Sequence, residues 1–319
     1  LVYRLLQLEK EVHVFVLPTD QIPLAWEGRV HIHWGDIAQK HYVERAMEDC
    51  QIVFHLAAVV SDWGLRSLFQ QVNVDGTSHV LETAASRNIR VILTTGSAVY
   101  GRDLAFFECH EDRPHGQALS FYGMSLQAQE RIALQLMATY RLACTIVRPA
   151  NVYGPGSRNW VYDLIEAIKR GPTLLGDGKQ NAGLVHVDNV AEILLLAAAK
   201  KRAIGEIYNA AEENKVDWMT YQKDLAKAAG TPSPRYFPKS LAWGIAKIQE
   251  WVWKRLSIGS RPHFTLEAIN RIGSNHRIPI NKAKQELGYQ PKKSYQEGMK
   301  ELKDFLQKQY LTYIDRRKM

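Results

Sequence analysis

Apolar and polar positions alternate at two different periods along the first half of the chain. Val12 to Leu17 alternates and is rich in β-branched residues until Pro18 ends it, which predicts a strand. Arg29 to Trp34 predicts a second, followed by Gly35-Asp36 at a strand-to-helix turn, and residues 38–48 have helical spacing. Ile52-Val53-Phe54-His55-Leu56 is a short unbroken apolar run, the pattern of a parallel strand covered on both faces. A long helix is expected over about 66–86, a strand at Val91-Ile92-Leu93, a helix over 122–140 and a strand at Thr145-Ile146-Val147. Strands alternating with helices at this rhythm mean βαβ units, so the expected class is α/β with a doubly wound parallel sheet.

Beyond Pro149 the pattern shortens. Helices are expected near 160–170, 188–200, 218–229 and 240–257, with short strands at 183–187 and 206–209. Residues 1–150 therefore read as one sheet-based domain, and 151–319 as a smaller domain interleaved with the last strands. Leu241, Ile245, Ile248, Val252 and Leu256 form an apolar stripe at helical spacing, with Trp243, Trp251 and Trp253 nearby. That helix is read first as core, then as a lid over an apolar substrate, then as a membrane-surface contact. Leu1 to Leu6 resembles the middle of a helix.

Composition narrows the class little. The 319 residues are 46% apolar and 23% charged, as in ordinary globular chains. Cys50, Cys109 and Cys144 are odd in number and unpaired in pattern, which suits a reducing compartment and a cytoplasmic protein. Net charge is +8, concentrated in residues 282–319 with ten Lys/Arg against five Asp/Glu. Glu297, Lys300, Glu301, Lys303 and Lys308 fall at helical spacing, so this tail reads as a solvated helix face, not a nucleic-acid site. Cys109-His110-Glu111-Asp112 with His115 matches no zinc spacing, and no metal site is expected.

Five segments occur in order: His55-Leu56-Ala57-Ala58, Asn73-Val74-Asp75-Gly76-Thr77, Thr94 to Gly101, Arg148 to Gly156, and Val185 to Ala191. Together they resemble the extended short-chain dehydrogenase/reductase family, the nicotinamide-dependent epimerases and dehydratases. Val60 to Gly64 and Ala283 to Pro291 look like its 3β-hydroxysteroid and sterol dehydrogenase branch. The resemblance implies a Rossmann-like fold, NAD or NADP as cofactor, and a small-molecule substrate. It also implies a first strand with a Gly-rich turn, about 15 residues of βα unit, that precedes Leu1, so the sequence is expected to be a piece of a longer protein.

Cofactor contacts are expected beyond the carboxyl ends of the strands, at Asp36, Ile37, Leu56, Ala57, Ala58, Asn73, Thr94, Tyr122, Pro149, Ala150, Asn151 and Val152. Asp36 either accepts from adenine or caps a helix starting near Ile37. Asn73 either holds a loop through its amide or caps a helix. Asp188 reads as a cap. The residue that would choose NAD or NADP falls in Leu17-Pro18-Thr19-Asp20, which settles neither.

In Ser120 to Leu126, Tyr122 stands where the family has its proton-transferring tyrosine. Leu126 stands where it has the lysine that lowers the phenol's pKa from ~10. The family's helper hydroxyl falls on Gly96, with Thr95 or Ser97 as substitutes. The leading expectation is an NAD(P)-dependent oxidoreductase acting on a hydroxyl or keto carbon of an apolar, sterol-like substrate. A catalytically silent cofactor binder and a nucleotide-sugar epimerase or dehydratase are the alternatives, and a homodimer is compatible with each.

Overall fold

The computed structural model describes residues 1–316, and side chains through residue 308. Arg317 and Lys318 of the basic tail lie outside the described residues. The strands are β1 (His13–Val16), β2 (His31–Trp34), β3 (Ile52–His55), β4 (Arg90–Thr94), β5 (Cys144–Pro149), β6 (Asn151–Tyr153), β7 (Leu174–Leu175), β8 (Leu184–His186), β9 (Ile207–Ala210) and β10 (Tyr236–Phe237). The α-helices are α1 (Val2–Gln7), α2 (Lys40–Ala46), α3 (Arg66–Phe69), α4 (Gly76–Arg87), α5 (Phe121–Tyr140), α6 (Asp163–Arg170), α7 (Val187–Ala199), α8 (Trp218–Ala229), α9 (Lys239–Arg255), α10 (Leu266–Ile272) and α11 (Tyr295–Arg316).

All the ladders are parallel. β3-β4-β5-β9 form a four-stranded sheet, while β1-β2, β6-β8 and β7-β10 form two-stranded pairs. Burial follows pairing. β5 is buried along its whole length, whereas β1 and β3, each paired on one side, are only partly covered, and Ile52 is 39% exposed. The β1-β2 pair is held through α2, whose Val43, with Met47 just after the helix, shares a cluster with Val80 and Leu81 of α4 and with Val91 and Leu93 of β4.

The expected long helix is continuous in outline but passes through a π turn at Gln70–Asp75. Helix limits follow ordinary capping. Ser120 accepts from Gly123 N to open α5, Asp217 accepts from Thr220 N to open α8, and Asn88 ends α4 in the left-handed region at φ 55°. Asp188 is not the cap expected of it. His186 accepts from Asp188 N to cap α7, and Asp188 pairs with Lys293 at 2.7 Å.

Beyond residue 150, Tyr153, Ile165, Trp218, Tyr221, Leu302 and Leu306 belong to a separate apolar cluster where α11 packs on α8. Glu297, Lys300, Lys303 and Lys308 are on the exposed face of α11, as the spacing predicts, while Glu301 is half-buried and pairs with Lys293. The stripe on α9 departs from expectation. Leu241, Ile248, Trp251 and Leu256 are exposed, and the buried face is Ala242, Ala246 and Glu250. Small alanines let α9 sit close to α10, and Glu250 Oε1 accepts from Leu266 N at 2.8 Å.

A buried polar network crosses the main sheet. Glu130 of α5 takes two hydrogen bonds from Arg148 of β5, at 2.9 and 2.6 Å, one from Thr95 at 2.7 Å, and contacts His115 at 2.7 Å. Arg148 also donates to the Tyr100 hydroxyl at 3.0 Å, which donates to Asn209 of β9 at 2.7 Å. Burial alone would raise the Glu130 carboxyl, but the bonds from His115, Arg148 and Thr95 prevail and hold it at about 2.

Because that value lies below the ordinary 4.5, the group stabilises the fold above the ordinary value, and the contribution is lost as pH falls through about 2. Acid unfolding monitored by circular dichroism should therefore show a transition below pH ~4 that Glu130→Gln shifts upward. At neutral pH the same variant should lose about 3 kcal/mol, because Arg148 is left buried without its anion.

Candidate active site

β2, β3, β4 and β5 all run toward one edge, and the turns that leave them bring the expected residues there. Gly35 is required after β2, since a Cβ there would come within 2.6 Å of Tyr42 and 2.8 Å of Phe15. Asp36 follows, its Oδ1 accepting from Ala38 N at 2.9 Å. It closes a turn and does not cap α2, which starts three residues beyond the expected Ile37. Ile37 itself is 7% exposed and packs in the core against Gly76, so its side chain faces away from any ligand. Asp20 accepts from Leu17 N at 2.9 Å and closes the turn after β1.

After β3, Leu56 and Ala57 are exposed and Ala58 is half-buried. Their loop is clamped by Asn73, which is fully buried in the π turn. Its Oδ1 accepts from Val59 N at 2.7 Å, and its Nδ2 donates to Val59 O at 3.1 Å and to Ser125 Oγ at 2.9 Å. Ser125 in turn donates to Tyr122 O at 2.7 Å, so one chain of bonds joins this loop to the first turn of α5. A π turn widens the helix by one residue and swings Asn73 toward the loop.

Tyr122 is half-buried on that first turn, and no described side chain hydrogen-bonds its hydroxyl. A Cβ placed on Gly96 would lie 4.0 Å from this hydroxyl oxygen, 3.6 Å from Leu126 Cδ1 and 3.7 Å from Pro149 O. Gly96, Tyr122, Leu126 and the Pro149 carbonyl thus surround one point at the ends of β4 and β5. Gly96 has extended backbone (φ 162°, ψ 166°), so its lack of a side chain supplies space and not a special conformation. Leu126 is 1% exposed among Ala98, Val99, Tyr100 and Leu104, an apolar plug where a lysine was expected.

The two substitute hydroxyls are committed elsewhere. Thr95 donates to Glu130, and Ser97 accepts from Arg271 Nη2 at 3.1 Å. Neither faces substrate as expected, because each satisfies a buried ion that would otherwise lack a partner. Asn151 likewise accepts from Arg271 at 2.6 Å and donates to Ala182 O at 2.7 Å. Ala150 and Val152 belong to the core between the sheet and α7, so contact between their side chains and a cofactor is not what the structure shows. Thr94 does fit a ligand-facing role, since its Oγ1 is buried without a hydrogen-bond partner among the described residues.

Arg271 and Glu267 of α10 were not expected here. Arg271 is 9% exposed, and among the described residues its Nη1 has no hydrogen-bond partner; the Glu267 carboxylate lies 3.6 Å from it, and the Trp160 ring centre lies 5.5 Å from the guanidinium carbon. Burial pushes the Tyr122 phenol up to about 12. The Arg271 guanidinium pulls it down against that, and Glu267 pushes it up further. The positive charge near the phenol therefore comes from α10 and not from α5. Thr265 accepting from Ala268 N, with Leu266, Ile269 and Ile272 at helical spacing, was a legible signal for this helix. Nothing local marks Arg271 as a neighbour of Ser97, 174 residues away.

Residues 1–211 match the NAD dependent epimerase/dehydratase family. The chain belongs to that family. It is 26% identical over 286 residues to a 2-alkyl-3-oxoalkanoate reductase of Shewanella oneidensis, covering 84% of this chain and 73% of that one. It is 26% identical over 293 residues to 3beta-hydroxysteroid-dehydrogenase/decarboxylase isoform 1 of Arabidopsis thaliana, covering 86% of this chain and 66% of the relative's length. The solved structure of MoeE5 in complex with UDP-glucose and NAD superposes with a TM-score of 0.73 at 23% identity, over 97% of this chain and 94% of that one. The last is a likeness of fold. Among the described residues, no helix is long and apolar enough to cross a membrane.

Replacing Asn73 by alanine should expose how much the loop clamp contributes. Val59 N and O would lose their partners, costing about 1–3 kcal/mol in thermal or denaturant unfolding. Hydrogen exchange at the Val59 amide should rise to that of an unprotected loop while the amides of β4 keep their protection.

Proposed function

We propose that this chain is a nicotinamide-dependent oxidoreductase that reduces a keto carbon of an apolar substrate, with Tyr122 as the proton donor. The observation that carries this reading is the free Tyr122 hydroxyl at the carboxyl edge of the sheet, facing the space left by Gly96 and the Pro149 carbonyl. NAD or NADP would supply the hydride. The residues present suit the nicotinamide-ribose half of such a cofactor: Ala57 and Ala58 are small, and the buried Thr94 Oγ1 lacks a partner.

The protein's own part is to position and to move one proton. A phenol at about 12 is neutral throughout the physiological range, so Tyr122 is an acid ready to protonate the oxygen of a carbonyl being reduced. The reverse direction needs the phenolate, which burial disfavours.

An apolar substrate agrees with the surroundings. Val60, Leu65 and Leu68 are exposed beyond β3, and Ile248 and Trp251 are exposed on α9. The loop at Asp62 is tied to the segment after α9 by Arg261, at 2.6 and 2.5 Å, and by Thr265, at 2.5 Å. That tie keeps the end of α9 next to this loop, with Lys254 Nζ 5.7 Å from the centre of the Trp63 ring. The relatives named for a 2-alkyl-3-oxoalkanoate and for a 3β-hydroxysteroid support a hydroxyl or keto carbon on an apolar skeleton. A nucleotide-sugar substrate has likeness of fold alone behind it.

A silent cofactor binder is the second reading, favoured by the buried Leu126. Assays with NADH and NADPH against 3-oxo acids and 3-oxosteroids separate the two. Turnover that Tyr122→Phe abolishes supports the enzyme, and tight cofactor binding without turnover of any of them overturns it. With Tyr122 as donor, kcat/KM for reduction should be flat between about pH 6 and 9, whereas kcat/KM for oxidation should rise about tenfold per pH unit over the same range. Gly96→Ser should raise kcat/KM for reduction by about tenfold to a hundredfold in the same assay, because its hydroxyl would be placed to hold the carbonyl oxygen.

A further inference from the structure

At the amino ends of β1 and β2, away from the Tyr122 edge, three metal-binding side chains converge. His13 and His31 are register partners across the parallel β1-β2 ladder, so their rings stand side by side on one face, with centroids 4.6 Å apart. Glu11 precedes β1, and its Oε1 lies 3.4 Å from His13 Nε2 and 3.3 Å from His31 Nε2. The three ligand atoms all fall within 4.8 Å of one another. A tetrahedral ion with bonds of about 2.0–2.1 Å holds its ligand atoms about 3.3–3.4 Å apart. Both carboxylate–imidazole separations already have that value.

A second contact orients the set. His33 lies two residues beyond His31 on the same face of β2, and its Nε2 is 3.0 Å from His13 Nδ1, the two rings stacked at 5.1 Å. With the proton of that hydrogen bond on His13 Nδ1, the Nε2 lone pair of His13 is directed to the side where Glu11 and His31 lie. Such a partner on the far nitrogen is the usual device for fixing a ligating imidazole. Side-chain exposure is 22% at His13, 61% at His31 and 74% at Glu11, so an ion has a path from solvent and room for water as a fourth ligand.

We propose that Glu11, His13 and His31 bind one divalent transition-metal ion, with Zn²⁺ as the fitting case and His33 as the residue that positions His13. Imidazole and carboxylate donors in this number suit zinc and its neighbours in the first row, and not calcium or magnesium. The ion would clip residue 11 to both β1 and β2, which among the described residues pair only with each other. The residues the sequence pointed to first do not form such a set. Glu111 accepts from Asn209 N at 2.9 Å, His115 is bound to Glu130 and Cys109 is fully buried.

The test uses the full chain freed of metal by chelator, titrated with Zn²⁺ by isothermal calorimetry and with Co²⁺ by visible absorption. One ion per chain is expected, with the intense visible bands of four- or five-coordinate Co²⁺. Zn²⁺ should raise the melting temperature of the wild type. His31→Ala, an exposed position at which folding is not in question, should weaken binding by about a hundredfold or more and abolish the melting shift. His33→Gln should weaken it by about tenfold to a hundredfold through the loss of positioning. His110→Ala, at an exposed histidine elsewhere, should change nothing. Wild-type affinity no tighter than that of His31→Ala, or a Co²⁺ spectrum like that of the hydrated ion, would overturn the proposal. None of these readings depends on turnover, so the oxidoreductase reading and the metal site stand or fall separately.

Discussion

The Glu130–Arg148 pair is the constraint to which the working edge is built. Two opposite charges buried between α5 and β5 are costly to desolvate, and each is tolerable only while the other stays in place. Their geometry is therefore narrow. Thr95, His115, Tyr100 and Asn209 satisfy what the pair leaves over, so one network fixes α5, β4, β5 and β9 against one another. Tyr122 stands eight residues before Glu130 on the same helix, about 12 Å along its axis. The pair sets the roll of α5, and with it the position of the phenol against Gly96.

Seen this way, several motif residues have a different meaning from the one their pattern suggests. Arg148 and Tyr100 belong to segments that carry the family resemblance, yet both are buried structural groups. Thr95 and Ser97 looked like spare hydroxyls for a substrate, and each is occupied by a neighbouring buried ion. Spacing along a chain says which residues share an edge. It does not say which of them already have partners, because those partners, Glu130 and Arg271, come from distant helices.

The regular elements were legible because β3, β4 and β5 and the helices between them are long enough to show a period. β8 falls on the short strand expected at 183–187, whereas β6, β7 and β10, of two or three residues each, are too short for any alternation to register. The seven-residue α10 carries a cap residue and three apolar positions, Thr265 before Leu266, Ile269 and Ile272, but two turns are too few for the period to stand out. On α9 the apolar stripe was real, but close packing selected the alanine face, leaving Leu241, Ile248 and Trp251 outward. The histidines at 13, 31 and 33 escaped notice because only pairing in register brings residues from two strands to one face.

The charges around Tyr122 set the protonation state from which the proposed reaction starts. At neutral pH, forming a phenolate from a group at about 12 costs about 7 kcal/mol, and in the proposed reduction the proton that the phenol gives up leaves that same phenolate behind. A lysine at position 126 would reduce that cost, but Leu126 fills the space with hydrocarbon, and the guanidinium of Arg271 acts against the nearby Glu267. Burial raises the Glu267 carboxyl, so proton uptake there would leave Arg271 unopposed. The arrangement thus keeps the phenol protonated at rest, the state from which the proposed reduction starts, and the phenolate it leaves has to regain a proton from solvent before the next turnover.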